Sequence, residues 1–482
     1  MKVTIKNAGR VFEIELNSDD TGLKLKEKIM ELTKIPLDRQ KILIKGGKIS
    51  DDVKVSELNL NAKQPLMVLG TPDNQLPSKP IEKPVFLEDL NEKELNKFGN
   101  FPSGILNMGN TCYLNSSLQT LFLIDEIPEK LNSYRTSNDL VDRRVDSLII
   151  SLKNMFGQMS SRQEKITPAF FLALFRSVYP QFAEREHGFF KQQDAEEAFS
   201  QILFLLYDTL NIKDDFKLTF KETQKCIAAP EEEAKITSED AFKLNCHINV
   251  KTNFLKDGIM EGLHETIEKF SESLRSNAEY QIDRYISRLP KYLTVHFVRF
   301  YWRADTRKKS KILRKVLFPF ELDMADALDA SIKQEKIDNR DRIRKVEKEN
   351  YEMVRDFKKA KKSSGLNPIE QREEDEKKIM SIKSKFHEDL KLTLPSTIDI
   401  DSTPENPSSI YELTAVITHR GSSADSGHYQ SFVKDKADLD GDKWWRFDDD
   451  KVSSTTRDKI EALAGGGESD TALVLLYKAS GL

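Results

Sequence analysis

Cys112 stands where a polar stretch meets an apolar helical pattern. Two glycines, two asparagines and a threonine lie between positions 104 and 111, a composition typical of a tight turn that ends in a helix cap. Apolar residues then recur at helical spacing, at Leu114, Leu118 and Leu121. The pattern predicts that Cys112 begins a buried helix, whose dipole favours a reactive thiolate. A nucleophile needs a base elsewhere in the chain, and a buried structural cysteine is the alternative.

His428 is the candidate base. It begins a strand pattern directly after residues 420–427, a loop rich in glycine and serine. A second strand pattern follows a polar turn and ends in three carboxylates, Asp448, Asp449 and Asp450. If the two strands are antiparallel, one carboxylate lies beside the imidazole, and all three are rivals for that place. Such a set predicts nucleophilic catalysis, in which the imidazole takes the thiol proton and the carboxylate fixes its tautomer. A structural histidine at a strand edge is the alternative.

The composition limits the classes of protein to which the chain can belong. A chain of 482 residues is long enough for two or three domains, and 75 basic against 79 acidic side chains give no reason to expect nucleic acid as a partner. Three cysteines are too few for a disulfide framework or for a zinc site of two cysteine pairs, so no metal or other cofactor is expected. Apolar runs are too short to cross a membrane, and Met1–Ile5 alternates polar and apolar residues, unlike a signal peptide. We therefore expect a cytoplasmic and nuclear protein.

Residues 1–70 form a predicted domain of their own. Two strand patterns, a helical pattern and two further strand patterns follow one another. This order resembles the β-grasp of ubiquitin. Alternation along the last two strands predicts that Leu43, Met67 and Leu69 face outward. These residues are either a patch for a partner or singly scattered surface residues.

The remainder of the chain divides into a linker and one large domain. Residues 71–100 hold several prolines and little periodicity, which predicts an extended linker. A second domain, residues 101–482, mixes helical and strand patterns, so we predict an α+β protein. Within it, residues from about 325 to 392 are rich in charges of both signs, and we predict a solvated helical insertion there.

Three separated motifs resemble the boxes of the ubiquitin-specific proteases. The first is the run Gly-Asn-Thr-Cys-Tyr-Leu-Asn-Ser-Ser-Leu-Gln around Cys112. The second is Gln-Gln-Asp-Ala-Glu-Glu at 192–197, which by itself equally suits an acidic first turn of a helix. The third joins Ser-Gly-His-Tyr around His428 to a Trp-x-x-Phe-Asp-Asp run that ends at Asp449. The resemblance implies a papain-like catalytic domain with thumb, palm and fingers.

The same resemblance implies a role for each site residue. The thiolate of Cys112 attacks the carbonyl of the terminal glycine of ubiquitin, and water then releases ubiquitin from the acyl-enzyme. Asp448 aligns with the family's third catalytic residue, and Asn107 with the Cys112 backbone N–H would stabilise the oxyanion. Asp194 would pair with basic residues of the ubiquitin tail. The residues expected to line the substrate cleft are Gln192, Asp194, Ser426, Gly427 and Tyr429.

The combination of domains resembles the proteasome-associated branch of this family. It implies that the ubiquitin-like domain docks on the regulatory particle of the 26S proteasome, with Leu43, Met67 and Leu69 as candidate contacts. In that branch surface loops cover the groove for the ubiquitin tail, and residues 420–427 match one of them, which implies low activity before docking. The partners implied are ubiquitin and polyubiquitinated proteins, and a monomer is expected.

Two other functions remain open at this point. One is a non-catalytic ubiquitin-binding regulator of the proteasome, which has no need of an intact Cys-His-Asp set. The other is a different thiol acyltransferase, such as a transglutaminase, which shares that set of residues. The Gln-Gln-Asp motif and the ubiquitin-like domain disfavour the second of these.

Overall fold

The computed structural model describes residues 1–44, 49–58, 60, 65–70, 101–136, 143–303, 308–361, 368–423, 426–438, 441–467 and 469–482. The chain forms two compact units, Met1–Asp89 and Leu90–Leu482. The predicted linker, residues 71–100, lies outside the described residues. Each unit is described by itself below.

The N-terminal unit is a four-stranded sheet with one helix packed on it. Its elements are β1 (Lys2–Asn7), β2 (Arg10–Glu15), α1 (Gly22–Thr33), β3 (Lys41–Leu43) and β4 (Leu66–Leu69), with 3₁₀ turns at Leu37–Arg39 and Val55–Glu57. The sheet order is β2-β1-β4-β3, with β1 and β4 parallel and the outer pairs antiparallel. Leu25 and Ile29 lie one turn apart on α1 and are fully buried in the core beneath it. This topology confirms the predicted β-grasp.

Strands β3 and β4 alternate between buried and exposed side chains. The inward positions lie in the core of the unit. Leu43, Met67 and Leu69 are 54%, 43% and 48% exposed. Leu43 pairs with Met67 across the two strands, and Leu69 is two residues further along the same face. The three residues therefore form one exposed apolar patch, which is called the β3–β4 patch below.

The larger unit begins with a helical subdomain that corresponds to the predicted thumb. The helices of the unit are α2 (Cys112–Phe122), α3 (Glu126–Ser133), α4 (Arg143–Ser160), α5 (Ala169–Val178), α6 (Ala195–Thr209), α7 (Lys213–Phe216), α8 (Leu255–Leu263), α9 (Ala330–Lys361), α10 (Pro368–Thr393) and α11 (Arg457–Glu461). Three 3₁₀ turns lie at Pro180–Ala183, Ala325–Ala327 and Ala462–Ala464. Within the described part of the chain, none of the helices has the length and apolar character needed to cross a bilayer.

Two sheets form the rest of the unit, together with three short pairs of strands. The strands are β5 (Gly104–Ile105), β6 (Lys165–Ile166), β7 (Arg185–Glu186), β8 (Phe189–Phe190), β9 (Leu218–Cys226), β10 (Lys235–Ala241), β11 (Leu244–His247), β12 (His264–Ser271), β13 (Ser276–Arg288), β14 (Tyr292–Val298), β15 (Phe300–Arg303), β16 (Lys308–Lys311), β17 (Glu321–Asp323), β18 (Ile410–Ser423), β19 (Ser426–Lys434), β20 (Lys443–Asp448), β21 (Lys451–Thr456) and β22 (Thr471–Ala479). The palm sheet has the order β11-β14-β22-β18-β19-β20-β21, with β17 added beside β18. The fingers sheet has the order β10-β9-β13-β12.

The palm sheet lies between two hydrophobic cores. Trp445 and Phe447 of β20 face the core that contains the thumb helices, whereas Trp444 faces the core that contains α8. The split follows from the alternation of side chains along a strand. Helix α2 packs against β19 on one side and α6 on the other. This packing brings the first turn of α2 to the edge of the palm.

The charged insertion is a hairpin of α9 and α10 whose base is buried. Ile343 of α9 and Leu390 of α10 pack with Ile410 of the palm. Lys336 Nζ donates a hydrogen bond to the main-chain oxygen of Asn406 at 2.6 Å, although Lys336 is a charged residue. The prediction of a solvated insertion is wrong for this end of the hairpin. Its apolar residues lie at helical spacing among more numerous charges, so composition alone concealed them.

Candidate active site

Cys112 is the first residue of α2 and is buried, as the helical pattern predicted. The turn before it has left-handed backbone at Gly109 and Asn110, with φ of 93° and 52°. Asn110 Nδ2 donates to the main-chain oxygen of Phe190 at 2.9 Å, which fixes this turn to the β7–β8 hairpin. Cys112 therefore lies at the N-terminus of α2, where the helix dipole favours negative charge on the thiol.

His428 and Asp448 meet across two antiparallel strands of the palm. His428 is the third residue of β19, and Asp448 is the last residue of β20. His428 Nε2 lies 2.6 Å from Asp448 Oδ1. The other two carboxylates of the run have different partners: Asp449 contacts asparagine side chains, and Asp450 lies 3.0 Å from Lys165 Nζ. The structure thus places Asp448, among the three rivals, against the imidazole.

The imidazole of His428 lies between the carboxylate and the thiol. The pKa of His428 is raised to about 9, and its hydrogen bond with the Cys112 side chain is the largest cause. The hydrogen bond with Asp448 raises the pKa further, whereas burial of the ring lowers it. Because Nε2 faces Asp448, Nδ1 is the nitrogen left for the thiol. An imidazolium that persists at neutral pH is the partner a reactive thiolate needs.

Arg446 braces the catalytic carboxylate from the side away from His428. Its Nη2 donates to Asp448 Oδ2 at 3.3 Å, and its Nε donates to Gln430 Oε1 at 3.1 Å. The sequence analysis did not identify Arg446 or Gln430. Their spacing offered a signal, because each lies two residues from a catalytic residue on the same strand and so on the same face.

Asp449 fixes the asparagine that is predicted to stabilise the oxyanion. Asn107 Nδ2 donates to Asp449 Oδ2 at 2.9 Å, and Asn107 Oδ1 accepts from the Gly109 N–H at 2.8 Å. Asn115 Nδ2, buried in α2, donates to Asp449 Oδ1 at 2.8 Å. One hydrogen of the Asn107 amide therefore remains for a substrate oxygen. Sequence reasoning missed Asn115, although it lies one turn after Cys112 on α2.

The structure also bears on metal binding at this place. Within the described ranges, one group of side chains could place its ligand atoms around a metal ion. The ligand atoms of His428, Asp448 and Asp449 lie within 4.8 Å of one another. Each of these atoms already has a protein partner: His428 pairs with Asp448, and Asp449 accepts from two asparagines. The arrangement is therefore better suited to proton transfer than to holding an ion.

The residues predicted to line the substrate cleft occupy different environments. Asp194 caps α6 by accepting a hydrogen bond from the Glu196 N–H at 2.7 Å, and burial raises the pKa of Asp194 to about 6. Gln192 is half-buried two residues before this cap, and its contact with the substrate remains a prediction. Glu197, which the sequence analysis did not single out, is the exposed carboxylate of the first turn of α6. Because Asp194 serves the helix terminus, its pairing with a basic tail also remains a prediction.

The loop before His428 is only partly defined, since residues 424 and 425 lie outside the described residues. Ser426 and Gly427 are exposed, as expected for residues beside a substrate cleft. Gly427 has φ of 134°, and a Cβ there would lie 2.2 Å from the Arg420 main-chain oxygen, so only glycine fits. Tyr429 is 1% exposed, so its side chain is buried in this conformation, and its contact with the substrate remains a prediction.

A buried cysteine at a helix N-terminus that faces a histidine and an aspartate on a sheet defines a papain-like cysteine hydrolase. Comparison with known proteins specifies the class further. The family model described as "Ubiquitin carboxyl-terminal hydrolase" matches residues 103–477, and the model described as "Ubiquitin family" matches residues 3–73. The chain belongs to the ubiquitin carboxyl-terminal hydrolase family. It is a cysteine-type deubiquitinase with an N-terminal ubiquitin-like domain.

Relatives match over nearly the whole chain. Ubiquitin carboxyl-terminal hydrolase 6 of Schizosaccharomyces pombe is 37% identical over 486 residues, which cover 99% of this chain and 98% of that protein. Ubiquitin carboxyl-terminal hydrolase 7 of Arabidopsis thaliana is 33% identical, with 99% of each chain covered. Among solved structures, the SAGA Ubp8/Sgf11/Sus1/Sgf73 DUB module bound to ubiquitin aldehyde has a TM-score of 0.50 at 17% identity, covering 78% of this chain and 69% of that one. At that identity the structure supports the fold alone.

The raised pKa of His428 predicts the alkaline limb of the pH profile. The imidazolium must donate a proton to the leaving amine, so kcat/KM should fall as the pH rises through about 9. Asp448→Ala removes a hydrogen bond and a negative charge that raise this pKa. The alkaline limb of the variant should therefore lie at lower pH, and kcat should also fall. The measurement is the pH dependence of kcat/KM with a fluorogenic ubiquitin substrate. Asp208→Ala, at an exposed position of α6, is the control. An alkaline limb at the same pH in Asp448→Ala and wild type would contradict the assignment of Asp448 as the partner of His428.

The contacts of Asp449 predict a selective loss of oxyanion stabilisation. In Asp449→Asn, the new side chain has the same shape as aspartate, and asparagine tolerates the left-handed backbone of φ 54°. Its amide NH2 group, however, faces the NH2 group of Asn107 or Asn115, so one of the two hydrogen bonds is lost. We expect kcat to fall roughly tenfold, less than the loss of an oxyanion donor itself. Alkylation of Cys112 by iodoacetamide needs no oxyanion hole and should be unchanged. Asp450→Asn, which touches Lys165 instead, is the matched control; equal losses in the two variants would refute a special role for Asp449.

Proposed function

We propose that this deubiquitinase hydrolyses the bond after the C-terminal glycine of ubiquitin, in conjugates and in polyubiquitin, while docked on the regulatory particle of the proteasome. The observation that carries the catalytic part is the imidazole of His428, which lies 2.6 Å from Asp448 Oδ1 and whose pKa is raised to about 9, with the Cys112 side chain as the largest cause. An imidazole that stays protonated at neutral pH supports the activation of Cys112 as the nucleophile.

The reaction follows from the positions of these groups. The Cys112 thiolate attacks the carbonyl carbon of the terminal glycine, and the negative oxygen meets the free Asn107 amide hydrogen and the Cys112 backbone N–H. The imidazolium of His428 donates its proton to the departing lysine amine, which leaves a thioester. His428, now neutral, takes a proton from water, and the hydroxide releases ubiquitin and restores the thiol. Asp448 holds the tautomer throughout.

Docking is proposed through the β3–β4 patch. Its three side chains are exposed on neighbouring strands, and contiguous apolar surface of this kind is typical of binding sites. The chain holds a complete Cys-His-Asp set in one unit, which supports action as a monomer. Work in the cytoplasm and nucleus is part of the proposal, supported by three cysteines that are all unpaired.

Low activity before docking is also proposed, on account of the loop before His428. The pairing of β18 with β19 shifts register between Arg420 and Ser423, and Gly421 has φ of 119°. Arg420 Nη2 lies 2.7 Å from Asp470 Oδ2, which ties one end of the loop to the palm. These described ends support the proposal, because an ion pair with a half-exposed arginine costs little free energy to break and glycine permits a change of backbone conformation.

Covalent capture by ubiquitin with a C-terminal electrophile tests the proposal. Wild-type protein should be captured and Cys112→Ala should not, whereas Cys226→Ala, a buried cysteine of the fingers, should be captured as well as wild type. Added proteasome should accelerate capture. Met67→Asp in the β3–β4 patch should abolish that acceleration and leave the free rate unchanged, and Val11→Asp, exposed on β2, should not.

Each outcome bears on a different part of the proposal. Failure of capture in wild type under all conditions would refute hydrolysis and favour a non-catalytic ubiquitin-binding regulator. Equal capture with and without proteasome would refute the gating. Acceleration that survives Met67→Asp would move the docking site away from the β3–β4 patch.

A further inference from the structure

Lys311 is a buried cation that has no part in the proposed reaction. It is the last residue of β16 and is 6% exposed. Its Nζ donates to the main-chain oxygen of His419 at 2.7 Å. Burial and the neighbouring guanidinium of Arg299 lower the pKa of Lys311 to about 8, and the carboxylate of Asp470 acts in the opposite direction. A buried ammonium disfavours folding relative to an apolar side chain of the same shape, so its presence at this position indicates a role other than stability.

The acceptor of Lys311 lies next to the residue that pairs with the catalytic histidine. In the antiparallel pair of β18 and β19, His419 is opposite Tyr429, and Arg420 is opposite His428. The regular pairing stops directly after Arg420. The main-chain oxygen of His419 also lies 3.3 Å from Thr471 Oγ1 of β22, whose hydroxyl hydrogen is shared with the main-chain oxygen of Ser469 at 3.1 Å. Lys311 and Thr471 thus hold β18 at the last regular positions before the loop.

The side chain of His419 transmits this position to the residues on either side of His428. A Cβ on Gly427 would lie 2.6 Å from His419 Nε2, so the main chain of Gly427 rests against the ring. The ring centroid of Tyr429 is 4.7 Å from that of His419. Burial and the charge of Lys311 lower the pKa of His419 to about 3, which keeps this ring neutral. A displacement of His419 must therefore move Gly427, His428 or Tyr429.

The hairpin of β15 and β16 is joined to the same place by further contacts. Arg299, at its root, is fully buried and donates through Nε to the Ala472 oxygen at 2.8 Å and through Nη1 to the Arg314 oxygen at 2.8 Å. The ring of Phe300 in β15 meets the His419 ring edge-on, with centroids 5.3 Å apart. The hairpin root is therefore rigid, and Lys311 reaches from it to β18.

We propose that Lys311 is a positioning residue for His428. Its ammonium holds the main chain of His419, and through the His419 ring it holds Gly427 and the catalytic imidazole in place against Asp448 and Cys112. Lys311 also connects the β15–β16 hairpin to the strand that leads to the catalytic loop. The inference rests on the thiol hydrolysis proposed above, and its test includes measurements that need no ubiquitin.

Lys311→Met tests this role, because methionine has a similar length and no donor. The variant should be as stable as wild type or more stable, since a buried charge is removed and Thr471 still donates to His419. We expect kcat to fall roughly 10- to 100-fold with little change in KM, the effect of a misplaced catalytic group. Unfolding in urea, followed by tryptophan fluorescence, reports the larger unit, because Trp302, Trp444 and Trp445 all belong to it. Lys315→Met, at an exposed lysine four residues further on, is the matched control.

The pH dependence distinguishes positioning from a merely structural role. In the described part of the chain, the charged or titratable groups that influence Lys311 are Arg299, Asp470 and His419. Those that face His428 are Cys112, Asp448 and Asp449, with His419 behind it. If His428 moves away from its two partners, its imidazolium stabilises the Cys112 thiolate less, so alkylation of Cys112 by iodoacetamide at neutral pH should be slower. The alkaline limb of kcat/KM should move to lower pH, because the two contacts that raise the pKa of His428 are weakened.

The outcomes separate this inference from the proposed function. Unchanged kcat and alkylation in Lys311→Met would overturn the positioning role, and so would losses of activity and stability in proportion with an unshifted pH profile. Should Lys311→Met fail to fold, Thr471→Val decides, because it removes the second donor to the same oxygen and should shift the profile in the same direction by less. A wild type that is alkylated normally but hydrolyses no ubiquitin would refute the proposed function, while the alkylation profiles of the variants would still decide the role of Lys311.

Discussion

The register of β19 against β20 is the constraint on which the active site depends. Ser431 pairs with Phe447 in this ladder, which brings His428 and Asp448 to the same edge and face of the sheet. A slip by one residue would turn every side chain of β20 to the opposite face, so Asp448 would leave the imidazole and Arg446 would leave Gln430. The catalytic geometry is therefore a consequence of a backbone ladder and does not rest on the side chains alone.

Packing on both faces of the palm makes that slip unfavourable. Trp444 lies in one core and its neighbour Trp445 in the other, so exchanging them would require both cores to be rebuilt. Each large aromatic side chain buries much apolar area and fills a cavity of its own shape. Because Trp444 and Trp445 are each buried in one core, the alternation along Trp-Trp-Arg-Phe-Asp also fixes the face of the sheet on which Asp448 lies. The two cores thus hold the register of β20, and the polar residues of the site lie at the edge of the sheet.

The residues with local signals were the ones that could be predicted from the sequence. The helix that begins at Cys112 followed from apolar spacing, and the exposure of Met67 followed from alternation along a short strand. The choice among Asp448, Asp449 and Asp450 did not follow, because it depends on a left-handed residue, Asp449, in the turn after β20. Propensity gives no warning of that turn, and only the resemblance to a family favoured the correct aspartate.

Contacts between distant parts of the chain were beyond sequence reasoning for a physical reason. Asn115 meets Asp449 across more than three hundred residues, and Lys311 meets His419 across more than one hundred. No periodicity links such positions, since the partners are brought together by the packing of whole elements. The buried end of the α9–α10 hairpin was missed in the same way, because Lys336 has its acceptor, Asn406, in another segment.

The central place of β22 in the palm has a consequence for how the protein is made. This strand lies between β14 and β18, and it follows both of them in the described part of the chain. While a ribosome is still adding residues 471–479, β18 lacks its neighbour and the oxygen of His419 lacks Thr471. Cys112 is translated much earlier, and its base, His428, then lies beside a palm sheet that is still incomplete. Catalytic activity is therefore expected only after β22 has been made and inserted, and until then β14 and β18 each present an unpaired edge.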